Sequence, residues 1–540
     1  MMLHVYSGLK KGLRWSGIFW LGAMPYTVQA AKVELFNEQQ LVLPFNLTQS
    51  VVAANVLTQP GNELVMLGVN QKGQRQLAIY ALNASNKMVL HDQITLDNRI
   101  FAFDVGDPEQ GGLQHLYFVG KNQLWQYHYS NNPARSANLA GPQMSAPSDT
   151  SPPGIVDSLS RLEEIEQVNT LYLSAQSDAI VQIDFAKDVN HDQIDDFVLA
   201  EFEQLNLYLS QPDSALSARV AQTLDIAARL RVDGTEVSFH PRELWFSDMN
   251  LDGKSDIVVV DSGRLGVYQQ SSSGSFNPQP AFIKLADDIE GIDWWDKIDA
   301  DGQQLDQSEL RHKKVEAITD VNGDGLADLI VRFTQSSGVL DRKNDYEFFY
   351  GKADNQQLVF AEQAATRIQS DSTLSDLKWV DLDQDGQQEI MVAAFDLGVS
   401  QIISALLSSS IEQEALIFKM DDNQLFSAKP TASQDVEITF SLSSGRSGEP
   451  MVKAQDVNGD KLKDLIFSDG EEQIKVLFAE PDGKRLFQKR AEKYTVKVPK
   501  NAKEIVHSDL NGDGKTDLIL QYSRADSTDL LNKVVVLIAN

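Results

Sequence analysis

Cysteine is absent from the 540 residues, which excludes a disulfide framework, a thiol nucleophile and a lipid carried on an N-terminal Cys. Basic residues are scarce beside acidic ones: 47 Lys and Arg face 77 Asp and Glu, for a formal charge of -30. That excludes nucleic acid or an anionic membrane surface as the main partner and favours cations. No G-x-S-x-G elbow, H-E-x-x-H pair or phosphate loop occurs, so the short catalytic signatures are missing. The eight histidines are scattered singly; His191 lies inside an acidic loop and His240 precedes a proline. Beyond residue 30 no stretch reaches the about 20 predominantly apolar residues that a bilayer span requires.

The N-terminus reads as an address. Lys10, Lys11 and Arg14 precede the apolar run Ile18-Phe19-Trp20-Leu21, and Val28-Gln29-Ala30 forms a small-x-small cleavage site. The run is too short for a membrane anchor. Residues 1–30 are therefore expected to be a signal peptide, leaving a soluble product in the periplasm or outside the cell. Its removal takes away three positive charges and no negative ones, so the mature chain would carry -33.

What the chain has in abundance is one acidic sentence, written six times: "DVNHDQIDD" from Asp188, "DMNLDGKSD" from Asp248, "DVNGDGLAD" from Asp320, "DLDQDGQQE" from Asp381, "DVNGDKLKD" from Asp456 and "DLNGDGKTD" from Asp509. The starts lie 60, 72, 61, 75 and 53 residues apart, a recurrence that indicates a solenoid, a propeller or an array of small units. Oxygen donors occupy the first, third, fifth and ninth positions: Asp188, Asn190, Asp192 and Asp196; Asp248, Asn250, Asp252 and Asp256; Asp320, Asn322, Asp324 and Asp328; Asp381, Asp383, Asp385 and Glu389; Asp456, Asn458, Asp460 and Asp464; Asp509, Asn511, Asp513 and Asp517. A hard cation such as Ca²⁺ takes six to eight oxygens at roughly 2.3–2.6 Å, and a tight loop can add one backbone carbonyl. The seventh residue is the expected carbonyl donor: Ile194, Lys254, Leu326, Gln387, Leu462 or Lys515. Its side chain varies freely, as a backbone ligand allows. Gly253, Gly325, Gly386 and Gly514 stand at the sixth position, where a positive φ costs a residue without Cβ little; Gln193 and Lys461 depart from that rule.

Asp and Asn also decorate ordinary turns, but electrostatics favours the metal. Two carboxylates about 4 Å apart repel by roughly 1 kcal/mol in water and about 4 kcal/mol at an effective dielectric of about 20. Three held together without a cation would oppose folding. An EF-hand would place Glu at position twelve between helices; here that residue is Leu199, Val259, Val331, Val392, Phe467 or Leu520. The β-branched runs that follow, such as "DIVVVD" and "DLILQY", read as strands. The loop thus joins two strands, and the ninth acid is expected to be the bidentate closing ligand.

On these residues the chain resembles the bacterial FG-GAP/VCBS-type repeats, relatives of the integrin α-subunit propeller. Neither the Phe-Gly nor the Gly-Ala-Pro element that names the family is evident, so the resemblance covers the calcium loop and blade pattern from Asp188 onward. It implies an all-β fold, a β-propeller with calcium in its blade loops, and a role in binding protein or carbohydrate partners.

Val51–Val69 and Ile100–Gly120 keep the strand, loop, strand rhythm without the donor spacing and count as blades without metal. The total is about eight four-stranded blades, with a seven-bladed ring as the alternative. They are expected near residues 49–98, 99–165, 166–228, 229–290, 312–372, 373–445, 446–500 and 501–540 plus 31–48, in one domain spanning 31–540. After Asp517 only two strands remain, so Ala31–Leu47 is expected to complete the last blade and close the ring without an open edge. Surface insertions are expected at 131–157, rich in Pro, Ser and Ala, and at 290–314. In the second, "DADG" imitates a calcium loop, but Lys297 falls at its first position. Trp294 and Trp295 there are candidate ligand-binding residues, able to stack on a sugar or anchor a partner, or else to pack an outer strand.

These readings converge on an exported, calcium-stabilised propeller with about six structural ions, acting as a binding or adhesion module for a protein or polysaccharide. Six filled loops would bring the mature charge from -33 to -21. The alternative is a polysaccharide lyase or hydrolase built on a calcium-containing propeller, for which no catalytic spacing appears.

Overall fold

Each acidic loop is followed by three to six consecutive apolar residues, and these form the middle of a sheet. In a strand, side chains alternate between two faces; along Asp517–Gln521, Leu518 and Leu520 enter one apolar cluster and Ile519 the opposite one. Along Asp328–Ser336, Leu329 and Val331 point one way and Ile330 the other. Both faces are therefore covered by neighbouring sheets.

The computed structural model describes residues 34–106, 112–129, 161–172, 180–210, 219–233, 236–285, 289–297, 305–336, 338, 341–355, 357–370, 372–395, 410–441, 446–447, 451–481 and 485–540. The signal-peptide reading, the insertion at 131–157 and the "DADG" stretch lie outside these residues. Leu35–Asn540 forms one unit, an all-β ring of eight antiparallel blades. Eight apolar clusters account for closure, one between each consecutive pair of blades, the last joining Ile519, Val534 and Val536 of the eighth blade to Leu64, Met66 and Ala78 of the first. Burying each such Leu, Ile or Val contributes about 1.5–3 kcal/mol. Among the described residues no helix is long and apolar enough to cross a membrane.

The eighth blade is completed by the N-terminal strand, as expected: Phe36–Val42 pairs antiparallel with Lys533–Ala539, Phe36 opposite Ala539. The segment then does more than its composition indicated. Phe45–Leu47 crosses the seam and pairs with the first blade, Phe45 opposite Asn70, while Val52–Ala54 pairs with the same strand further along. Two other segments differ from their expected places. Arg229–Asp233 and Glu236–His240 form a separate hairpin rather than part of the fourth blade, whose strands begin at Trp245–Ser247. The 290–314 stretch is partly built into the fifth blade: Ile289–Glu290 runs parallel to the long strand Leu310–Thr319.

Neighbouring loops are also tied through their backbones. Lys463 N–H donates to the Leu382 carbonyl (3.0 Å) and Thr516 N–H to Asp456 (2.7 Å), and across the seam Asn62 N–H donates to Asp509 (3.2 Å). Gly61 makes that last approach possible. Its φ is +88°, and a Cβ there would lie 2.2 Å from the Leu510 carbonyl oxygen, whereas at Gly73, with φ +73°, nothing lies within 4 Å. Gly73→Ala should therefore cost about 1–2 kcal/mol of left-handed strain, and Gly61→Ala that amount plus a further ~1–3 kcal/mol of overpacking. Thermal melts of the two variants should show the larger drop for Gly61→Ala; equal drops would mean the seam is not held at this contact.

Candidate metal centres in the blade loops

All six loops adopt the same backbone path. The sixth residue has positive φ in every copy: Gln193 72°, Gly253 84°, Gly325 83°, Gly386 85°, Lys461 75° and Gly514 84°. Gln193 and Lys461 thus depart in composition but not in geometry. The fourth residue is left-handed as well: His191, Leu251, Gly323, Gln384, Gly459 and Gly512 have φ between 57° and 80°. Three of these carry side chains, which hid the feature from composition.

Two left-handed residues curl the loop so that its amides point inward at the acids. The first acid accepts the sixth residue's N–H at 2.7–3.2 Å. The fifth acid accepts the N–H of the seventh residue, Ile194, Lys254, Leu326, Gln387, Leu462 or Lys515, at 2.8–3.0 Å. Every third-position Asn turns its carbonyl into the loop to accept the fifth residue's N–H at 2.8–3.1 Å. In four of the loops its amide group donates to the outer oxygen of the fifth acid: Asn250 to Asp252, Asn322 to Asp324, Asn458 to Asp460 and Asn511 to Asp513, at 3.0–3.3 Å. In the first loop that carboxylate is held by the Ser210 hydroxyl instead, at 2.7 and 2.9 Å.

The ninth acid is fully buried in all six copies. One oxygen accepts the second residue's N–H at 2.8–3.1 Å. In five copies the other accepts an amide from the end of the blade's third strand or just beyond it: Ser210, Gln270, Gly351, Ala479 or Ala539, at 2.6–3.0 Å. A carboxylate oxygen has two lone pairs, so each retains one for a further partner. Burial pushes Asp196 and Asp517 up to about 7 and Asp256, Asp328, Glu389 and Asp464 up to about 6, against the backbone amides that lower them. Carboxylates of the same loop raise them further, Asp248 and Asp252 acting on Asp256 and Asp320 and Asp324 on Asp328. Each loop thus sets a buried carboxylate beside the more exposed acids of its first and fifth positions. An oxygen-only donor set of this kind fits a hard divalent cation.

The fourth loop differs. One oxygen each from Asp381, Asp383 and Asp385 lies within 4.8 Å of the others, and the Lys419 ammonium lies 2.5 Å from Asp383, 2.8 Å from Asp385 and 3.4 Å from Glu389. The lysine is 30 residues beyond the loop's end and no spacing announced it. A second feature missed in sequence is Glu63. It is fully buried and accepts Val56 N–H at 2.8 Å and Leu57 N–H at 2.9 Å, so the first blade keeps the ninth-residue clamp although its loop has lost the donors. At the eighth position of the first loop, buried Asp195 accepts the Tyr117 hydroxyl at 2.9 Å and lies 3.3 Å from His115 Nδ1.

Trp294 is buried and Trp295 is 41% exposed, the rings meeting edge to face at 5.4 Å. The Arg332 guanidinium lies 5.7 Å from the Trp295 ring centre. The loop that carries them is pinned to the extra hairpin: Arg229 donates to the Gly291 carbonyl at 2.7 Å and Arg231 pairs with Asp296 at 3.0 Å.

No known protein family matches the chain, and no curated protein does. Among solved structures it is similar to a lectin of Agrocybe aegerita described as recognising non-reducing terminal N-acetylglucosamine, at 12% identity over 86% of this chain and 95% of that one, with a TM-score of 0.41. It is similar to the Dos1 propeller at 10% identity over 92% and 95% of the two chains, TM-score 0.39. The V. cholerae biofilm matrix protein Bap1 matches at 12% identity over 92% and 88%, TM-score 0.28. Likenesses this remote bear on neither ligand nor chemistry. The class of protein is set by the chain's own sheets: an eight-bladed β-propeller.

Sixth-position geometry yields a direct test. Gly325 has φ 83° and open space where a Cβ would stand, so Gly325→Ala should cost only the left-handed penalty of about 1–2 kcal/mol, weakening that loop's calcium affinity roughly tenfold. Lys461→Gly removes the same penalty from its loop and should tighten it. Calcium titrations in which the two changes move affinity in the same direction would refute a common turn.

Proposed function

We propose that this is an exported propeller whose blade loops bind structural calcium and whose surface engages a protein or polysaccharide. The observation that carries the metal reading is the repetition of one oxygen-lined loop with the same two left-handed residues. The ligands in each loop would be the first, third and fifth side chains, the seventh carbonyl and the ninth carboxylate, as in FG-GAP/VCBS-type repeats. The metal would supply positive charge and no chemistry. At free calcium ten times a site's dissociation constant, each independent loop gains about 1.4 kcal/mol, which serves an exported chain without disulfides.

Support for a binding role comes from the surface around the extra hairpin. Leu230 is 59% exposed and Val237 58%, and Phe239 meets Phe202 edge to face at 4.8 Å. With Trp295 on the loop pinned to this hairpin, large apolar side chains gather where solvent reaches them, a character of interaction surfaces. Exposed aromatics at such places are favoured anchors for partners.

Two measurements test the two halves separately. Chelation with EGTA should lower the thermal midpoint by several degrees, restored by excess calcium; an unchanged midpoint would overturn the metal reading. Trp295→Ala should leave that midpoint in place while at least tenfold reducing retention of envelope proteins or polysaccharides captured in millimolar calcium. Undiminished capture would remove this surface from the binding role.

A further inference from the structure

In the antiparallel register Phe418 stands opposite Ile390, so Lys419 stands opposite the ninth acid Glu389. The equivalent residue in the other loop-bearing blades is Leu209, Gln269, Tyr350, Phe478 or Ile538, each following the partner of its loop's tenth residue. None of these five is cationic. The fourth loop is also the copy with a carboxylate at the third position, Asp383, where the others have Asn. It therefore has four carboxylates at the donor positions where each of the others has three, and four acids with one lysine carry the same net charge as three acids alone.

We propose that the fourth loop is closed by the Lys419 ammonium in place of a metal ion, so that the ring takes up five calcium ions rather than six. Three further observations bear on this. The fifth acid's outer oxygen takes an amide N–H from Asn in four loops and a hydroxyl in the first; Asp383 has neither group to offer, and Lys419 Nζ holds Asp383 and Asp385 together. Glu389 is fully buried, and Oε1, its oxygen not bound to Leu382, has no hydrogen bond of its own and faces Lys419 Nζ at 3.4 Å. Lys419 is covered along its stem by its surroundings, its side chain only 27% exposed. An ammonium so placed bridges the acids of the third, fifth and ninth positions and brings its own positive charge to them, while Asp381 Oδ1 is left without a hydrogen bond.

The inference rests on the calcium reading above and is tested by counting ions. Calorimetric titration of the mature chain with calcium should give five ions per chain. Asp383→Asn with Lys419→Gln recreates the side chains of the second loop, Asn250 and Gln269, and should give six. Lys419→Met alone leaves four acids without an internal cation and should lower the midpoint in EGTA below that of the wild type. Hydrogen exchange places the effect: chelation should speed exchange at Gly325 and leave Gly386 and Gln387 of the wild type unchanged. Six ions in the wild type, or five in the double variant, would overturn the inference while leaving calcium binding intact. No ions in any variant would overturn both.

Discussion

A buried carboxylate at the start of a central strand, clamped to the backbone of the loop before it, is the interaction on which the ring depends. It recurs at Glu63, Asp196, Asp256, Asp328, Glu389, Asp464 and Asp517, each accepting the amide seven residues earlier. A hydrogen bond to a charged group contributes about 1.5–3 kcal/mol, and removing the donor would leave an uncompensated buried charge. The clamp does two jobs at once. It fixes where the loop ends and the strand begins, and it sets the register that sends alternate side chains to the two flanking interfaces. A slip of one residue would send Leu518 and Leu520 to the cluster that now receives Ile519, and every blade would lose its fit to both neighbours.

The clamp has an electrostatic consequence. A buried acid pushed up toward neutrality prefers its proton, and other carboxylates of the same tight loop push it further. Folding therefore gathers acids whose charge the backbone amides only partly offset. The loops are linked to one another by amide-to-carbonyl bonds, across the seam included, so repulsion within one loop is felt at the next. This is why cation supply and ring closure are coupled on the proposed reading. The ring's stability resides in the eight apolar clusters, and on the proposed reading the cation would let the loops between them close without that repulsion.

Much of this was legible in the sequence because it is local. Donor spacing, the glycines at position six and the apolar runs all fall within about fifteen residues, and repetition multiplied a weak signal. The eight blades and the strand exchange at the seam followed from counting strands. What escaped was of two kinds. Left-handed φ at the fourth position is masked by His191, Leu251 and Gln384, residues whose side chains do not advertise the conformation. Lys419, the Phe45–Leu47 crossing and the pinning of the extra hairpin to the tryptophan loop are long-range pairings, settled by register between strands far apart in the chain. No pattern in a single window contains them.

The loops also separate what folding requires from what a metal requires. In the first blade, the loop from Asn55 to Glu63 has lost the acids at positions one, three and five, yet it keeps the buried ninth acid, its bond to Val56 and the inter-loop bond from Asn62. That loop carries little repulsion of its own. The fourth loop has a fourth acid at a donor position, Asp383, and meets it with a lysine from its own blade. The remaining five hold three acids at those positions and no such lysine opposite the ninth residue. Clamp and register are common to all seven, so they belong to the fold; the balance of charge differs from loop to loop, so it belongs to the site. On the proposed reading a blade could lose or replace its cation without changing shape, provided the carboxylates that called for it change in step.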